Sequence, residues 1–283
     1  MRFGVYIVLV LLYFSMFACV SSGGQNENEM NANDSLAAKL PTMEKTRSLE
    51  NEDVAKIVMD SSITTDYLMG KFVPEKHPDF RVIERKYADR AGRTLRKDTY
   101  AAFLKMYEAA KKDGIHFKII SATRPFNDQK RIWEGKWTGK RPTTGVKNIT
   151  KSIPDAKQRA LKILEYSSMP GSSRHHWGTD IDLNALTNDY FEKGKGLKEY
   201  EWLQANAAKF GFCQPYSPKG KDRPHGYNEE KWHWSYLPIA KKLSDQYRLR
   251  LQDKDINGFL GSESAVEIGI VEKYVLGINE TCL

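Results

Sequence analysis

The chain lacks an uninterrupted apolar segment long enough to cross a membrane as a helix. Its most apolar run, residues 5–14, lies close to the N-terminus and follows a single positive residue, Arg2. A membrane-spanning helix needs about 20 apolar residues, whereas the apolar region of a secretory signal is shorter. The pattern therefore predicts a signal peptide over residues 1–18 rather than a transmembrane anchor.

The residues after this run indicate how the signal would be processed. Ala18-Cys19 resembles a bacterial lipoprotein cleavage site, with Met16 where such sites usually carry Leu. We expect an exported bacterial protein of the periplasm or cell envelope, attached to the membrane by a lipid on Cys19. The alternative is a simple signal peptide that is cleaved near Ala18 or in the Ser-Gly stretch that follows.

Cysteine is scarce, with three residues in the whole chain. If Cys19 carries a lipid, Cys213 and Cys282 remain, and an oxidising compartment outside the cytoplasm allows such a pair to form one disulfide. We hypothesise this bond, which would tie the C-terminal tail to the rest of the protein.

A nucleic-acid-binding motif and an internal repeat are also absent, although the chain is basic. The formal net charge is +8 and the pI is about 9.1. A basic surface attracts an anionic cell-wall polymer or membrane surface as well as a nucleic acid. Charge alone therefore does not identify the partner, and we expect no nucleic acid to bind.

The composition divides the chain into a tether and a folded part. Residues 19–49 are rich in Asn, Ser, Gly and Glu, and so few large apolar side chains cannot offset the entropy lost on ordering. The remaining chain can bury one sizeable core and a small appendage. We assign residues 50–245 to the main domain and residues 246–283 to a helical C-terminal extension.

Apolar spacing and the positions of Gly and Pro predict the secondary structure. Helices are predicted over Glu50–Met69, Thr94–Lys112, Asp128–Trp137, Pro154–Tyr166, Lys195–Gly211, Ile239–Leu251 and Ser264–Leu276. Strands are predicted over Phe80–Ile83, Ile115–Ile120, Thr179–Leu183, Phe212–Cys213 and Trp232–Tyr236. The basic, turn-rich residues 139–150 are predicted to form a loop at the rim of a site.

Two segments rich in Gly and Trp, residues 170–183 and 229–234, carry the groups that a catalytic zinc ion needs. Such an ion usually takes three His or carboxylate ligands and leaves a fourth position for water. The candidate ligands are His175, Asp182 and His233.

The strand predicted after His175 explains how a carboxylate would reach the site. Polar and apolar residues alternate in Thr179–Leu183, so Asp180 and Asp182 would lie on the site face and Ile181 would face a core. Two carboxylates would therefore share one face of this strand.

Glu230 precedes His233 by three residues, near enough for its carboxylate to reach a water held by the same metal ion. This is the position of a general base. Two alternatives stay open, because His176 competes with its neighbour His175 as a ligand and Glu229 competes with Glu230 as the base.

Three motifs in this order resemble those of the VanY-type zinc D-alanyl-D-alanine carboxypeptidases and dipeptidases, which are related in fold to lysostaphin-like peptidases and the hedgehog signalling domain. The motifs are Ser121-Ala122-Thr123-Arg124-Pro125-Phe126-Asn127-Asp128-Gln129, Ser173-x-His175-x-x-Gly178-x-x-x-Asp182 and Glu230-x-Trp232-His233. The resemblance implies an α+β fold in which a small, mainly antiparallel sheet carries the zinc site and helices flank it.

The resemblance also implies roles for individual residues. One Zn²⁺ per chain would be bound by His175, Asp182 and His233, with Glu230 as the catalytic base. Arg124 would steady the substrate carbonyl or carboxylate, and Ser173 and Gln129 would contact the substrate.

Asp180 departs from the family pattern, which usually has Ala two positions before the metal-binding Asp. We include Asp180 among the candidate substrate-binding residues. A carboxylate at this position could tune substrate choice or could bond to the protein instead.

By resemblance, the function is hydrolysis of the terminal D-alanyl-D-alanine bond of peptidoglycan stem peptides by a monomeric enzyme. The motifs do not fix stereochemistry, so an L,D-carboxypeptidase acting on tetrapeptide stems is an alternative. A catalytically inactive wall-binding module and a lipoprotein that uses zinc only as a structural staple are two further hypotheses.

Overall fold

A computed structural model describes residues 57–283 of the chain. The predicted signal peptide, the tether, the lipid site at Cys19 and the beginning of the helix predicted from Glu50 lie outside the described residues. Within residues 57–283, no helix is both long enough and apolar enough to pass through a membrane.

The described residues form an α+β fold, as predicted. The helices are α1 (Thr65–Leu68), α2 (Lys97–Lys112), α3 (Phe126–Trp137), α4 (Ile149–Ser152), α5 (Ala156–Ile163), α6 (Gly194–Asn206), α7 (Leu237–Arg250) and α8 (Ser264–Ile268). The strands are β1 (Phe80–Val82), β2 (Thr94–Arg96), β3 (Ile119–Ser121), β4 (Asp180–Leu183), β5 (Phe212–Cys213) and β6 (His233–Tyr236).

The strands make two small antiparallel sheets. β1 pairs with β2, and a four-stranded sheet has the order β3-β4-β6-β5. In the larger sheet, Asp182 on β4 lies directly opposite His233 on β6. Residues opposite each other on antiparallel strands share a face, so the pairing puts both polar side chains on one side of the sheet.

The two faces of the larger sheet have different neighbours. Ile181, Leu183 and Trp234 point to one face, where they are buried in an apolar cluster with residues of α2 and α6. The other face carries the polar residues of β4 and β6. A second apolar cluster, which includes Trp133, Trp177 and Tyr247, lies beyond those residues.

The helix boundaries differ from the sequence predictions where a strand or a capping residue intervenes. The helix predicted from Thr94 begins at Lys97, because Thr94–Arg96 pair with β1. The described part of the helix predicted over Glu50–Met69 is limited to Thr65–Leu68, where the Thr64 side chain accepts a hydrogen bond from the Tyr67 N–H.

Two further predicted elements are shorter than expected. The helix predicted from Pro154 begins at Ala156, because the Asp155 carboxylate caps it by accepting from the Gln158 N–H. The strand predicted over Ile115–Ile120 is confined to Ile119–Ser121, the part that pairs with β4.

The C-terminal residues contribute to the second apolar cluster. Ile256, Ala265, Ile268, Val275 and Cys282 are buried there together with residues of α3, α5 and α7. The predicted helix over Ser264–Leu276 is divided at Gly269 into α8 and a π-helix over Val271–Val275, because Gly269 adopts a positive φ.

Cys213 and Cys282 are joined by a disulfide, as hypothesised. Cys213 lies on β5, opposite Ser235 of β6. The bond therefore fastens the C-terminal residues to the sheet strand that neighbours the one carrying His233.

Loss of this disulfide is predicted to destabilise the protein by about 2–5 kcal/mol, since it closes a loop with a sequence separation of 69 residues. Chemical unfolding of Cys213→Ser, Cys282→Ser and the double variant measures this. The double variant should be no less stable than the single variants, because each single change already removes the bond. Equal stability of the parent with and without reductant would contradict the prediction.

Candidate functional site

Three side chains from separate chain segments meet on the polar face of the larger sheet. His175 belongs to a 3₁₀ turn over Arg174–Trp177, Asp182 to β4 and His233 to β6. Each offers one nitrogen or oxygen atom, and these atoms all lie within 4.8 Å of one another. The structure thus brings together the three candidate ligands that the sequence indicated.

Gly178 lets the chain turn from His175 into β4. It adopts a φ of +72°, and a Cβ atom added there would lie 2.3 Å from the Phe80 ring. Both the backbone conformation and the close approach of Phe80 require glycine at this position.

His175 is oriented by a backbone carbonyl. Its Nδ1 lies 2.9 Å from the Ala122 carbonyl oxygen, which can only accept a hydrogen bond, so Nδ1 carries the proton. The Nε2 lone pair is then free and lies 3.3 Å from Asp182 Oδ2. Burial lowers the pKa of His175 and favours the neutral imidazole that a metal ligand requires.

His233 is oriented by Asp180. Its Nε2 lies 2.8 Å from Asp180 Oδ2, which leaves Nδ1 to face the site. Nδ1 is 3.0 Å from Asp182 Oδ1, yet this buried oxygen has no aligned hydrogen-bond partner. Once Nδ1 has lost its proton, this nitrogen and the Asp182 oxygen are placed to converge on a shared cation.

The donor set therefore fits a divalent metal ion. Two imidazoles and one carboxylate form the three-ligand set typical of hydrolytic zinc sites, and each imidazole is held by a hydrogen bond from its second nitrogen. His175, Asp182 and His233 are the residues that would hold the ion.

Behind His233 lies a buried ionic network that sequence reasoning missed. The Arg174 and Asp180 side chains are both fully buried, with Arg174 Nε 3.4 Å from Asp180 Oδ2. Arg174 donates to the hydroxyls of Ser244 and Ser235, and Ser235 donates to Asp180 Oδ1. No spacing rule distinguishes this buried arginine from an ordinary surface one.

Asp180 lies within this network rather than at the surface of the cavity described below. Burial alone would raise its pKa, but Arg174 and His233 lower it, so that Asp180 is ionised. The direct substrate contact expected of Asp180 stays a prediction, since Asp180 does not line the cavity. The carboxylate instead fixes the His233 ring.

Glu230 is the carboxylate next to the ligand cluster. Its Oε2 lies 3.5 Å from His233 Nδ1, and the side chain lines the cavity although it is only 6% exposed. Burial raises the pKa of Glu230 to about 8. Glu229 does not line the cavity, and its carboxylate lies beside Tyr200, which leaves Glu230 as the candidate base.

Both ring nitrogens of His176, the alternative ligand, are hydrogen-bonded outside the ligand cluster. Its Nδ1 lies 2.5 Å from the Arg124 carbonyl oxygen, and its Nε2 accepts from the Gly171 N–H. Burial lowers the pKa of His176 to about 3. Both ring nitrogens thus bind backbone groups, and the residue joins two loops instead of facing the ligand cluster.

Arg124 lines the cavity with the ligand cluster, and two neighbours fix its guanidinium. Nη1 donates to Gln129 Oε1 at 2.7 Å, and Nη2 donates to Ser121 Oγ at 2.8 Å. Gln129 is fully buried and Ser173 is 1% exposed, and neither lines the cavity. Gln129 positions Arg124, and the substrate contacts expected of Gln129 and Ser173 stay predictions.

The cavity has a volume of about 830 Å³, and five of the residues that line it are cationic. They are Arg90, Arg93, Arg124, Lys136 and Arg141. The predicted rim loop over residues 139–150 contributes Arg141 and Thr144 to its wall. The lining also contains the carboxylates of Asp182, Asp189, Glu192 and Glu230, so the cavity offers groups of both charges to a polar ligand.

This fold and this ligand cluster define a class of α+β proteins with a buried His-Asp-His metal site beside a carboxylate. The sequence model for the D-alanyl-D-alanine carboxypeptidase family VanY matches residues 92–239, more than half of the chain. The chain therefore belongs to the VanY family, and the resemblance drawn from its motifs is confirmed.

Curated relatives match at moderate identity. A Bacillus subtilis (strain 168) protein named as a carboxypeptidase, YodJ, is 28% identical over 166 residues, which are 58% of this chain and 52% of the relative. A D-alanyl-D-alanine carboxypeptidase of Enterococcus faecalis is 29% identical over 143 residues, or 50% of this chain and 48% of the relative. The chain spans about half the length of these relatives.

The chain also matches parts of solved structures at low sequence identity. VanYB in complex with D-alanine-D-alanine has a TM-score of 0.45 at 21% identity and covers 62% of this chain and 87% of that chain. The LD-carboxypeptidase LdcB has a TM-score of 0.45 at 24% identity and covers 72% of this chain and 81% of that chain.

Removing the Asp180 charge is predicted to weaken metal binding about 10- to 100-fold, because the residue fixes a ligand histidine. Competition with a chromogenic chelator compares Asp180→Asn with the parent. Asp189→Asn, which changes a cavity carboxylate outside the ligand cluster, is the matched control and should bind metal like the parent. Equal affinity of all three proteins would contradict the role given to Asp180.

Metal binding at pH 7 is predicted to release at least one proton. Burial opposes a charge on His233, but the carboxylates of Asp180 and Asp182 beside the ring raise its pKa to about 10 in the metal-free protein. The ring is therefore protonated at pH 7, and a metal on Nδ1 must displace that proton. Affinity should rise with pH between about 7 and 10.

Calorimetry in buffers of different ionisation enthalpy measures this proton release. Zinc binding without proton release would show that His233 is already neutral before the metal arrives.

Proposed function

We propose that this protein is a zinc-dependent carboxypeptidase that hydrolyses the terminal peptide bond of peptidoglycan stem peptides. The observation that carries the proposal is that three candidate metal-ligand side chains, a buried carboxylate and Arg124 line one cavity. Membership of the VanY D-alanyl-D-alanine carboxypeptidase family supports the reaction type and the terminal D-alanyl-D-alanine unit as the substrate.

When bound, zinc supplies a Lewis acid that lets a water molecule lose a proton near neutral pH. Glu230 is placed to accept that proton, because its carboxylate lies beside the His233 nitrogen that faces the site. A cation in the cluster adds positive charge next to Glu230 and lowers its pKa from the raised value of the metal-free protein. Glu230 can then return the proton to the amine of the leaving residue.

Arg124 is placed to stabilise the negative charge that develops on the carbonyl oxygen. Gln129 and Ser121 hold its guanidinium at the cavity wall, and no described carboxylate oxygen lies within 4.0 Å of it to neutralise it. A fixed cation in a partly enclosed site stabilises such charge with little reorganisation.

Exported action on the cell wall follows from the substrate. We propose that residues 1–18 direct export, that residues 19–49 tether the enzyme and that Cys19 carries a lipid. The disulfide between Cys213 and Cys282 supports a location outside the cytoplasm, where such bonds persist.

An L,D-carboxypeptidase acting on tetrapeptide stems is the second candidate. The same ligand cluster and base can hydrolyse either an L,D or a D,D peptide bond. Incubation of the purified protein with tripeptide, tetrapeptide and pentapeptide stems, followed by mass spectrometry, separates the two. Loss of one alanine from the pentapeptide supports the D,D activity, and loss from the tetrapeptide supports the L,D activity. No product from either peptide in the presence of bound zinc would refute the proposal.

Glu230→Gln is predicted to keep zinc and to lose hydrolysis by about 10²-fold or more, since the amide cannot accept the proton. Zinc content by elemental analysis and turnover of the preferred stem peptide are measured together. The matched control is Glu229→Gln, which changes the adjacent carboxylate outside the cavity and should retain parent activity. Parent-like activity in Glu230→Gln would assign the base elsewhere.

A further inference from the structure

Glu230 lies in a segment without regular secondary structure, shortly before β6. A side chain on such a segment has no helix or strand ladder to fix its direction. The direction of its Cα–Cβ bond depends on φ and ψ, the rotations that turn the two planar peptide groups on either side of the Cα atom. A base in such a segment therefore keeps its position only where both peptide groups are held.

The Asn188 side chain bonds to both of these peptide groups. Its Nδ2 donates to the Glu229 carbonyl oxygen at 2.9 Å, and its Oδ1 accepts from the Lys231 N–H at 3.0 Å. The Glu229 carbonyl belongs to the peptide group that precedes the Glu230 Cα atom, and the Lys231 N–H belongs to the one that follows it. One amide thus bridges the two groups whose relative rotation sets the direction of the Glu230 side chain.

The other polar atoms of the two peptide groups are bonded as well. The Glu230 N–H donates to the Tyr216 carbonyl oxygen at 2.9 Å. The Glu230 carbonyl oxygen accepts from the His233 N–H at 3.2 Å and from Gln214 Nε2 at 3.3 Å. The Gln214 side chain reaches one of the two peptide groups, whereas Asn188 reaches both.

The chemistry of asparagine suits this bridge. A side-chain amide carries a donor and an acceptor on one planar group, and here the donor faces a carbonyl oxygen and the acceptor faces an N–H. Aspartate would lack the donor, and leucine, which has a similar shape, would lack both groups. Asn188 is the first residue of the 3₁₀ turn over Asn188–Glu192, which places its side chain beside the segment that precedes β6.

We propose that Asn188 is a positioning residue that fixes the direction in which the Glu230 carboxylate points. The inference rests on the proposed function, in which Glu230 is the general base. The Glu230 carboxylate carbon lies three bonds from the Cα atom, so a small rotation of the backbone displaces it from its place beside His233. A displacement of about 1 Å can lower the rate of a reaction about 10²-fold.

Removing the bridge should affect the chemical step more than substrate binding. Asn188→Ala should lower kcat for the preferred stem peptide about 10- to 100-fold and change KM less than about threefold, since the residue acts on the base and not on the substrate. Asn188→Leu, which keeps the approximate shape of the side chain but neither bond, should show the same loss. Zinc content and thermal unfolding are measured for each protein.

Asn184 offers a matched control. Its amide makes the same kind of bridge, donating to the His116 carbonyl oxygen at 3.1 Å and accepting from the Lys118 N–H at 2.6 Å, but it does not line the cavity. Asn184→Gly removes both bonds and suits the φ of +62° at this position. This variant should lose a comparable amount of stability and keep the kcat of the parent.

A double-mutant cycle tests whether Asn188 acts through Glu230. If it does, Asn188→Ala should cause no further loss of activity in the Glu230→Gln background, because the base that Asn188 positions is already absent. Asn188 also lines the cavity, and a direct contact with the substrate would instead raise KM and lower activity by the same factor in both backgrounds. That result would overturn the inference.

Amide hydrogen exchange provides a readout that does not require turnover. The Lys231 N–H should exchange about 10-fold faster in Asn188→Ala than in the parent, because its hydrogen-bond acceptor has been removed. Equal exchange in the two proteins would show that Asn188 does not hold this segment, and the inference would be wrong. If the parent cleaves no stem peptide, the proposed function fails, while the exchange comparison still decides whether Asn188 holds the Glu230 backbone.

Discussion

The site depends on the buried contact between Asp180 and His233. A histidine on a strand has two ring nitrogens, and the one that bonds to a carboxylate determines where the other points. Asp180 is hydrogen-bonded to Nε2 of His233, so Nδ1 of the same ring points toward Asp182 and Glu230. A buried carboxylate is costly without a counter-charge, and the fully buried Arg174 supplies one.

The position of this network between two apolar clusters explains its rigidity. One cluster lies under the larger sheet and contains Ile181 and Trp234, and the other contains Trp177, whose ring lies 4.6 Å from the Arg174 guanidinium carbon. Residues packed from both sides cannot change rotamer without opening a void. The ligands are thus held in position by close packing on both sides, which is the condition for a site that acts without large rearrangement.

Much of this arrangement could be predicted from the sequence because it rests on local periodicity and on motif spacing. The alternation in residues 179–183 correctly put Asp182 on the site face and Ile181 in a core. The sequence leaves His176 and Glu229 open as alternatives to His175 and Glu230, and the hydrogen bonds of His176 and the position of Glu229 favour His175 and Glu230.

The remaining features depend on contacts between distant segments, which no local pattern records. Arg174 donates hydrogen bonds to Ser235 and Ser244, which are 61 and 70 residues away in the sequence. Lys136 donates to Ser167, which is 31 residues away. The strand over Thr94–Arg96 was mistaken for the start of a helix because its apolar spacing continues into α2, and only pairing with β1 distinguishes it. Gln129 is buried and accepts a hydrogen bond from Arg124, and no local pattern in the sequence predicts that contact.

The cross-strand pairing of Asp182 with His233 has a consequence for how such proteins diversify. Their separation is set by the hydrogen-bonded register of two adjacent strands and does not depend on the length of chain that connects them. Residues 184–232 can therefore lengthen, shorten or exchange their surface loops while the ligand geometry stays constant. Substrate choice can change by insertion in this connection without rebuilding the hydrolytic machinery.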